Sequence, residues 1–154
     1  MSIAKVLGIE TEYGIIATGV DSSPVTSSSL LINSYVSRFD ATIGWDFDAE
    51  RPGSDARGFS LDDVFPQDIE MSMVNTVLTN GARYYVDHAH PEVSTPECRT
   101  ASEAVLFDRA GEEIVRQSME AAKRVLPAGA ELVAYKNNSD GKGNMDFSAI
   151  IQSL

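Results

Sequence analysis

The chain has 154 residues, the length of one ordinary globular domain, and 43% of them are hydrophobic, enough for a buried core. It carries 12 lysines and arginines against 23 aspartates and glutamates, a formal net charge of −11. This excess of acid argues against a nucleic-acid binder, which needs a basic face, and against docking on anionic lipid. The single cysteine, Cys98, excludes an internal disulfide, and no apolar run reaches the roughly 20 residues of a membrane helix. We therefore expect a soluble cytoplasmic protein.

The first half of the chain divides into a strand, a loop, a helix and an acidic insertion. Residues 3–18 are rich in β-branched and aromatic types, which predicts extended structure. A polar loop is expected over 20–29, followed by a short helix over Leu30–Phe39. Residues 40–73 form the insertion, in which eight acidic residues and two arginines fall between Asp46 and Glu70. So long an irregular segment is either functional or a tolerated surface insertion.

The second half begins with a predicted hairpin. Residues 74–78 fit either a helix end or a strand, and Asn80-Gly81 predicts a tight turn into a strand over 82–86. A strand is also expected over Leu132–Tyr135, and the polar run 137–144 predicts another turn.

Between these segments lies the strongest predicted helix. Thr100 and Glu103 form a capping-box pattern ahead of an apolar run, and the helix is expected to extend to Leu126. Its expected buried stripe consists of Leu106, Ala110, Ile114, Ala121 and Val125. Strands around one long helix predict an α+β fold.

Two acidic positions stand out in the first predicted strand. Glu10 and Glu12 are two residues apart, so their side chains point to the same side of a strand. Adjacent like charges are unfavourable unless a divalent cation lies beside them. The pair is therefore either part of a metal site or a solvent-facing strand edge.

A second candidate lies in the strand after Asn80-Gly81. Strand alternation places Arg83, Tyr85 and Asp87 on one face. The opposite face would carry Tyr84, Val86 and His88. The Asp87 carboxylate on such a face can be a metal ligand, a general base or a nucleophile, or merely half of a surface ion pair. His88 and His90 lack a third nitrogen or sulfur ligand, which favours a hard cation such as magnesium over zinc.

Three segments share one resemblance: GIETEYG at 8–14, NGARYYVDHAHPE at 80–92 with STPE at 94–97, and YKNNSDGKG at 135–143. They resemble segments of the Pup ligase and depupylase enzymes, which are carboxylate–amine ligase relatives of glutamine synthetase. The three segments span nearly the whole chain. The spelling of the second segment and the acidic insertion are similar to the deamidase/depupylase branch.

The resemblance implies a curved, largely antiparallel sheet with helices packed on one face. It implies hydrolysis of the isopeptide bond between Pup and a substrate lysine, and deamidation of the C-terminal glutamine of Pup. ATP and Mg²⁺ are the implied cofactors, and Pup and pupylated proteins are the implied partners. The alternatives are a catalytically incomplete nucleotide- or Pup-binding remnant, the ligase branch, or, without the resemblance, a magnesium-dependent phosphate-handling domain.

The resemblance also implies residue roles. Asp87 matches the family's catalytic aspartate, and Glu10, Tyr85 and Glu92 match its magnesium ligands. The positions that match nucleotide-contacting stretches are Gly8, Ile9, Thr11, Glu12, Arg83, Ser94 and Thr95.

The chain departs from the family near its end. Residues 1–154 correspond to the N-terminal part of a larger catalytic domain, so we expect activity to need the remainder. After Asn144 the sequence leads directly into a run, from Phe147, that the family carries further along. We therefore predict a missing piece at 144/145.

Overall fold

The structure is a computed structural model that describes residues 5–44, 74–87 and 89–136. Six strands and two helices occur in these ranges. In chain order they are β1 (Glu10–Thr18), α1 (Pro24–Arg38), β2 (Thr42–Ile43), β3 (Asn75–Leu78), β4 (Arg83–Asp87), β5 (His90–Ser94), α2 (Ala101–Ala122) and β6 (Glu131–Lys136). The strands form one sheet in the order β2-β3-β4-β5-β1-β6, and every neighbouring pair is antiparallel. The predicted α+β class is confirmed.

The hydrophobic core lies between one face of the sheet and the two helices. Leu31 and Ile32 of α1 and Ile114 and Val115 of α2 pack in one cluster with alternate residues of the strands. The strand members of that cluster include Tyr13, Leu78, Tyr84, Val86, Val93 and Leu132. Because side chains alternate along a strand, the intervening residues of the central strands point to the other face, away from the helices.

Helix α1 begins at Pro24, so the prediction of a loop up to residue 29 and a helix only from Leu30 was wrong. The Ser23 side chain caps the helix by accepting the N–H of Thr26 at 3.2 Å, and Pro24 occupies the first helical position. The serines that suggested a loop form the first turns, and Ser27 and Ser28 are buried.

The predicted cap of α2 is confirmed, whereas its end and its stripe differ from the prediction. The Thr100 hydroxyl accepts the Glu103 N–H at 3.1 Å, and the helix ends at Ala122 rather than Leu126. Leu106 and Val125 are 65% and 63% exposed, so their assignment to the core was wrong. The buried face consists of Ala104, Gly111, Ile114, Val115, Ser118, Ala121 and Ala122.

The predicted hairpin is present, and residues 75–78 form a strand. Asn80 Oδ1 accepts the Ala82 N–H at 3.0 Å, and Gly81 has a φ of 85°, which suits glycine. Alternation in β4 is as predicted, with Tyr84 and Val86 buried.

Several predictions fall outside the described residues: the acidic insertion beyond Gly44, His88, the turn at 137–144 and the junction at 144/145. Among the described helices, none combines the length and apolarity that crossing a membrane requires.

Candidate active site

Three central strands place a row of polar side chains on the sheet face opposite the helices. The register pairs Tyr85 of β4 with Glu92 of β5, and Glu92 with Glu12 of β1. One step along, Arg83 pairs with Ser94, and Ser94 with Glu10. Asp87 ends β4 and pairs with His90. We refer to these eight residues as the carboxylate face: Glu10, Glu12, Arg83, Tyr85, Asp87, His90, Glu92 and Ser94.

The three residues that the family resemblance implies as magnesium ligands, Glu10, Tyr85 and Glu92, are neighbours on this face. The Tyr85 hydroxyl donates to Glu92 Oε1 at 2.6 Å. The Ser94 hydroxyl lies 3.3 Å from both Tyr85 Oη and Glu10 Oε1. Hydrogen-bonding contacts therefore connect Glu92, Tyr85, Ser94 and Glu10 across three strands.

Glu92 is a buried acid, with 6% of its surface exposed. Burial raises the pKa of its carboxyl, the charges of Asp87 and Glu10 raise it further, and the hydrogen bond from Tyr85 acts in the opposite sense. Burial also raises the pKa of the Tyr85 phenol, helped by its hydrogen bond to Glu92. At neutral pH Tyr85 therefore stays protonated and donates a hydrogen bond to Glu92.

Arg83 is the cationic group of β4 on this face. Its guanidinium carbon lies 4.3 Å from the centroid of the Tyr85 ring, and its Nε donates to Asn75 Oδ1 at 2.8 Å. The guanidinium is thus held over the phenol that contacts Glu92.

His90 and Glu12 form a close pair, with Nδ1 and Oε1 separated by 2.5 Å. The His90 side chain is 13% exposed and that of Glu12 is 31% exposed. Sequence reasoning assigned no site role to His90. Its place follows from the pairing with Asp87, and that pairing was not part of the prediction.

The other residues that the resemblance implies as nucleotide contacts lie in two places in the fold. The Ile9 N–H donates to Thr95 Oγ1 at 3.0 Å, and Gly8 lies beside the same hydroxyl, so 8–9 and 95 are brought together. Thr11 points the other way, because its hydroxyl donates to Asp108 Oδ1 of α2 at 2.8 Å. The Thr11 side chain is therefore on the helix side of the sheet.

The carboxylate face does not form a complete set of metal ligands from the described residues alone. Within residues 5–44, 74–87 and 89–136, no three Asp, Glu, His or Cys side chains come together so that they could hold a metal ion. The face does offer two carboxylates, Glu10 and Glu92, that are joined through the neutral hydroxyls of Tyr85 and Ser94, and the Asp87 carboxyl lies beside Glu92. Oxygen donors of this kind suit a hard cation that keeps some of its water.

The structure is an α+β fold, an antiparallel sheet with two helices on one face and the carboxylate face on the other. Comparison of the sequence with known families shows which family this chain belongs to. The Pup-ligase protein family matches residues 5–145. The chain belongs to that family, as the sequence motifs predicted.

Curated relatives carry names from both branches of the family. The depupylase of Acidothermus cellulolyticus is 44% identical over 90% of this chain and 29% of its own length. The Pup deamidase/depupylase of Mycobacterium tuberculosis is 42% identical over 97% of this chain and 34% of its own length. The Pup–protein ligase of Bifidobacterium adolescentis is 31% identical over 93% and 24%. The chain thus spans about a third or less of these relatives.

A solved structure supports the fold. The complex of the prokaryotic ubiquitin-like protein Pup with its ligase PafA matches with a TM-score of 0.55 and 23% identity, over 92% of this chain and 23% of the other.

Proposed function

We propose that this chain supplies part of the active site of an ATP- and Mg²⁺-dependent enzyme that cleaves Pup from substrate lysines. The same enzyme would deamidate the C-terminal glutamine of Pup. The observation that carries the proposal is the carboxylate face, where Asp87 adjoins the contacts linking Glu92, Tyr85 and Glu10. The choice of Pup as the substrate comes from the names of the relatives at 42–44% identity, a depupylase and a Pup deamidase/depupylase.

The residues on this face fit a magnesium ion. Glu92 is a buried acid beside two other acids, an arrangement that is costly without a neutralising cation. Glu10 and Glu92 would be its carboxylate ligands, and Tyr85 either joins them or fixes Glu92 through its hydrogen bond. When bound, the ion would neutralise phosphate oxygens of the nucleotide.

Asp87 is the proposed catalytic residue. Its carboxylate either attacks the scissile carbonyl carbon, displacing the lysine amine or ammonia and leaving an acyl intermediate that water hydrolyses, or activates the water or phosphate that attacks that carbon. Both steps need an ionised carboxylate, and a nearby cation favours that form.

The nucleotide is proposed to lie along the start of β1 and the end of β5. Residues 8–9 meet Thr95 there, next to Ser94, and Arg83 supplies positive charge on the same face. Thr11 would contribute through its backbone, because its hydroxyl faces α2.

The test uses the complete protein that carries this chain. It is incubated with ATP, Mg²⁺ and Pup ending in glutamine, and mass spectrometry follows the one-dalton gain that accompanies deamidation. Cleavage of a Pup–lysine conjugate is measured in parallel. Asp87→Asn should abolish both reactions and leave nucleotide binding largely intact, whereas Asp21→Asn, the same change at an exposed position before α1, should retain both.

Each outcome discriminates between the alternatives. Near-normal cleavage by Asp87→Asn would contradict the catalytic assignment. Formation of a Pup–lysine conjugate from Pup ending in glutamate and a lysine substrate, without deamidation of the glutamine form, would assign the protein to the ligase branch. Binding of nucleotide or Pup with neither reaction would indicate a non-catalytic remnant.

A further inference from the structure

Asp87 is followed by an unusual turn. Ala89 lies in the turn before β5, and Asp87 of β4 pairs directly with His90 of β5. Ala89 has a φ of 82°, and it is the one non-glycine residue with positive φ among those the structure describes. An L-residue with a side chain rarely adopts this conformation unless its surroundings hold it there.

A contact from helix α1 holds the turn. The Ser28 hydroxyl donates to the Ala89 carbonyl oxygen at 2.7 Å, and Ser28 has no exposed surface. Serine within a helix commonly donates to the carbonyl four residues earlier, as Ser34 does to Leu30 at 2.7 Å. Ser28 instead directs its only hydroxyl proton out of α1, to a residue 61 positions away.

The turn is therefore fixed from both sides of the sheet. On the helix side Ser28 holds Ala89, and on the carboxylate face His90 contacts Glu12. Asp87 lies at one end of this turn and His90 at the other. Any change in the backbone at Ala89 would be transmitted to the Asp87 side chain, two residues away.

We propose that Ser28 is a positioning residue, which sets the catalytic geometry of Asp87 by holding Ala89 in its positive-φ conformation. This inference rests on the proposed function insofar as it concerns rate. Ser28 touches neither Asp87 nor any other residue of the carboxylate face in the contacts described above, so its effect would pass through the turn.

The experiment compares Ser28→Ala with Ser34→Ala in the complete protein. Both remove a buried serine hydroxyl from α1, but only Ser28 reaches the turn. For deamidation of Pup ending in glutamine, Ser28→Ala should lower kcat by about 10- to 100-fold, because small displacements of a catalytic group are costly. KM should change less than about twofold, since ground-state binding is untouched. Ser34→Ala should leave both constants near wild type.

A second substitution separates positioning from folding. Glycine adopts positive φ without strain, so adding Ala89→Gly to Ser28→Ala should restore part of the lost kcat. If Ser28→Ala does not fold, Ser28→Cys keeps the volume and weakens the donor, and it should give a smaller loss in kcat. Unchanged kcat in Ser28→Ala, or an equal loss in Ser34→Ala, overturns the proposal.

Amide hydrogen exchange provides a readout that does not depend on activity. A peptide covering residues 84–94 should exchange faster in Ser28→Ala than in wild type or Ser34→Ala. If the wild-type protein shows no deamidation, the proposed function fails and this exchange still tests whether Ser28 holds the turn. If wild type is active and neither exchange nor kcat responds to Ser28→Ala, the positioning role alone fails.

Discussion

Tyr85 donates a hydrogen bond to a carboxylate that the fold has largely removed from water. Glu92 is a buried acid beside Asp87 and Glu10, and the hydrogen bond from the phenol offsets part of the hydration that its carboxyl loses. Burial raises the pKa of the phenol, so Tyr85 stays protonated at neutral pH and donates a hydrogen bond to Glu92. We infer that its main effect on a metal passes through Glu92.

Tyr85→Phe tests this interpretation. It removes the donor to Glu92 and leaves the aromatic ring under Arg83. Magnesium affinity, measured by calorimetry, should fall by about 10-fold, as is common when a partner of a metal ligand is lost. The free energy of unfolding should fall by about 1 kcal/mol.

The matched control is Tyr35→Phe, which removes a phenol hydroxyl from the core side of α1. It should leave magnesium affinity unchanged. Equal magnesium binding by wild type and Tyr85→Phe would show that the phenol plays no part in the metal site.

Helix α2 lies close to the sheet because it carries a glycine where it crosses β5. A Cβ on Gly111 would lie 3.1 Å from Val93 Cγ1, tighter than ordinary packing allows. Val93 is buried, and it sits between Glu92 and Ser94 of the carboxylate face. The helix thus supports the strand that carries the site.

Gly111→Leu should lower the free energy of unfolding by about 1–3 kcal/mol, because the added side chain has no space against Val93. Urea denaturation measures the loss. Adding Val93→Ala should recover part of it, since the two side chains compete for one volume. Gly44→Leu, at a position where an added Cβ meets none of the described residues within 4 Å, should have little effect. Independent, additive losses at 111 and 93 would contradict the account.

Lys136 joins β6 to α2 through two carboxylates. Its Nζ donates to Asp108 Oδ2 at 2.5 Å and to Glu112 Oε1 at 2.8 Å. Burial alone would raise the pKa of both carboxyls. Hydrogen bonds from Lys136 and Thr11 to Asp108, and from Lys136 and Arg109 to Glu112, outweigh burial and lower both pKa values. A carboxyl whose pKa is lowered by folding stabilises the folded state at pH values above its unfolded-state pKa. That stabilisation is lost as the pH falls through the folded-state pKa.

Lys136→Met should therefore lower the free energy of unfolding at pH 7 by about 1–2 kcal/mol. The difference from wild type should shrink as pH falls below about 4, where the carboxyls take up protons. Lys123→Met, which breaks an exposed pair with Glu120, should change stability little at any pH. A pH-independent difference for Lys136→Met would show that packing, rather than charge, is what the substitution removes.

Local periodicity was enough to predict part of the site. Alternation alone placed Arg83, Tyr85 and Asp87 on one face, and the same rule paired Glu10 with Glu12. It left the third strand unassigned, because which residue of β5 faces Tyr85 depends on register. Register is fixed by the β4–β5 turn and by contacts distant in sequence.

The errors in the helices have a common cause. The many serines suggested a loop over 20–29. In the structure Ser23 caps α1, and Ser28 is buried within the helix and hydrogen-bonds to the distant Ala89. Apolar spacing assigned Leu106 to the core, but α2 approaches the sheet through small residues such as Gly111, which turns Leu106 outward. In both helices a tertiary contact overrode the local preference.

The charge of the whole chain can now be related to its fold. The chain carries a net charge of −11, and four of its 23 acidic residues lie on the carboxylate face, where Arg83 is the only arginine or lysine among the eight residues. Self-repulsion of this kind opposes the compact state, and bound divalent cations relieve it more strongly than screening by monovalent salt does.

Magnesium should therefore stabilise the complete protein beyond the effect of ionic strength. Thermal unfolding in MgCl₂ is compared with unfolding in NaCl of equal ionic strength, and the excess stabilisation should approach about 2.7 kcal/mol at a hundredfold excess over Kd. Glu10→Gln and Glu92→Gln should each remove most of the excess, because each takes one carboxylate from the proposed ion. Glu97→Gln and Glu131→Gln make the same change in net charge at exposed positions and should preserve it. If all four variants lose it equally, the benefit comes from general neutralisation of an acidic protein and not from a site on the carboxylate face.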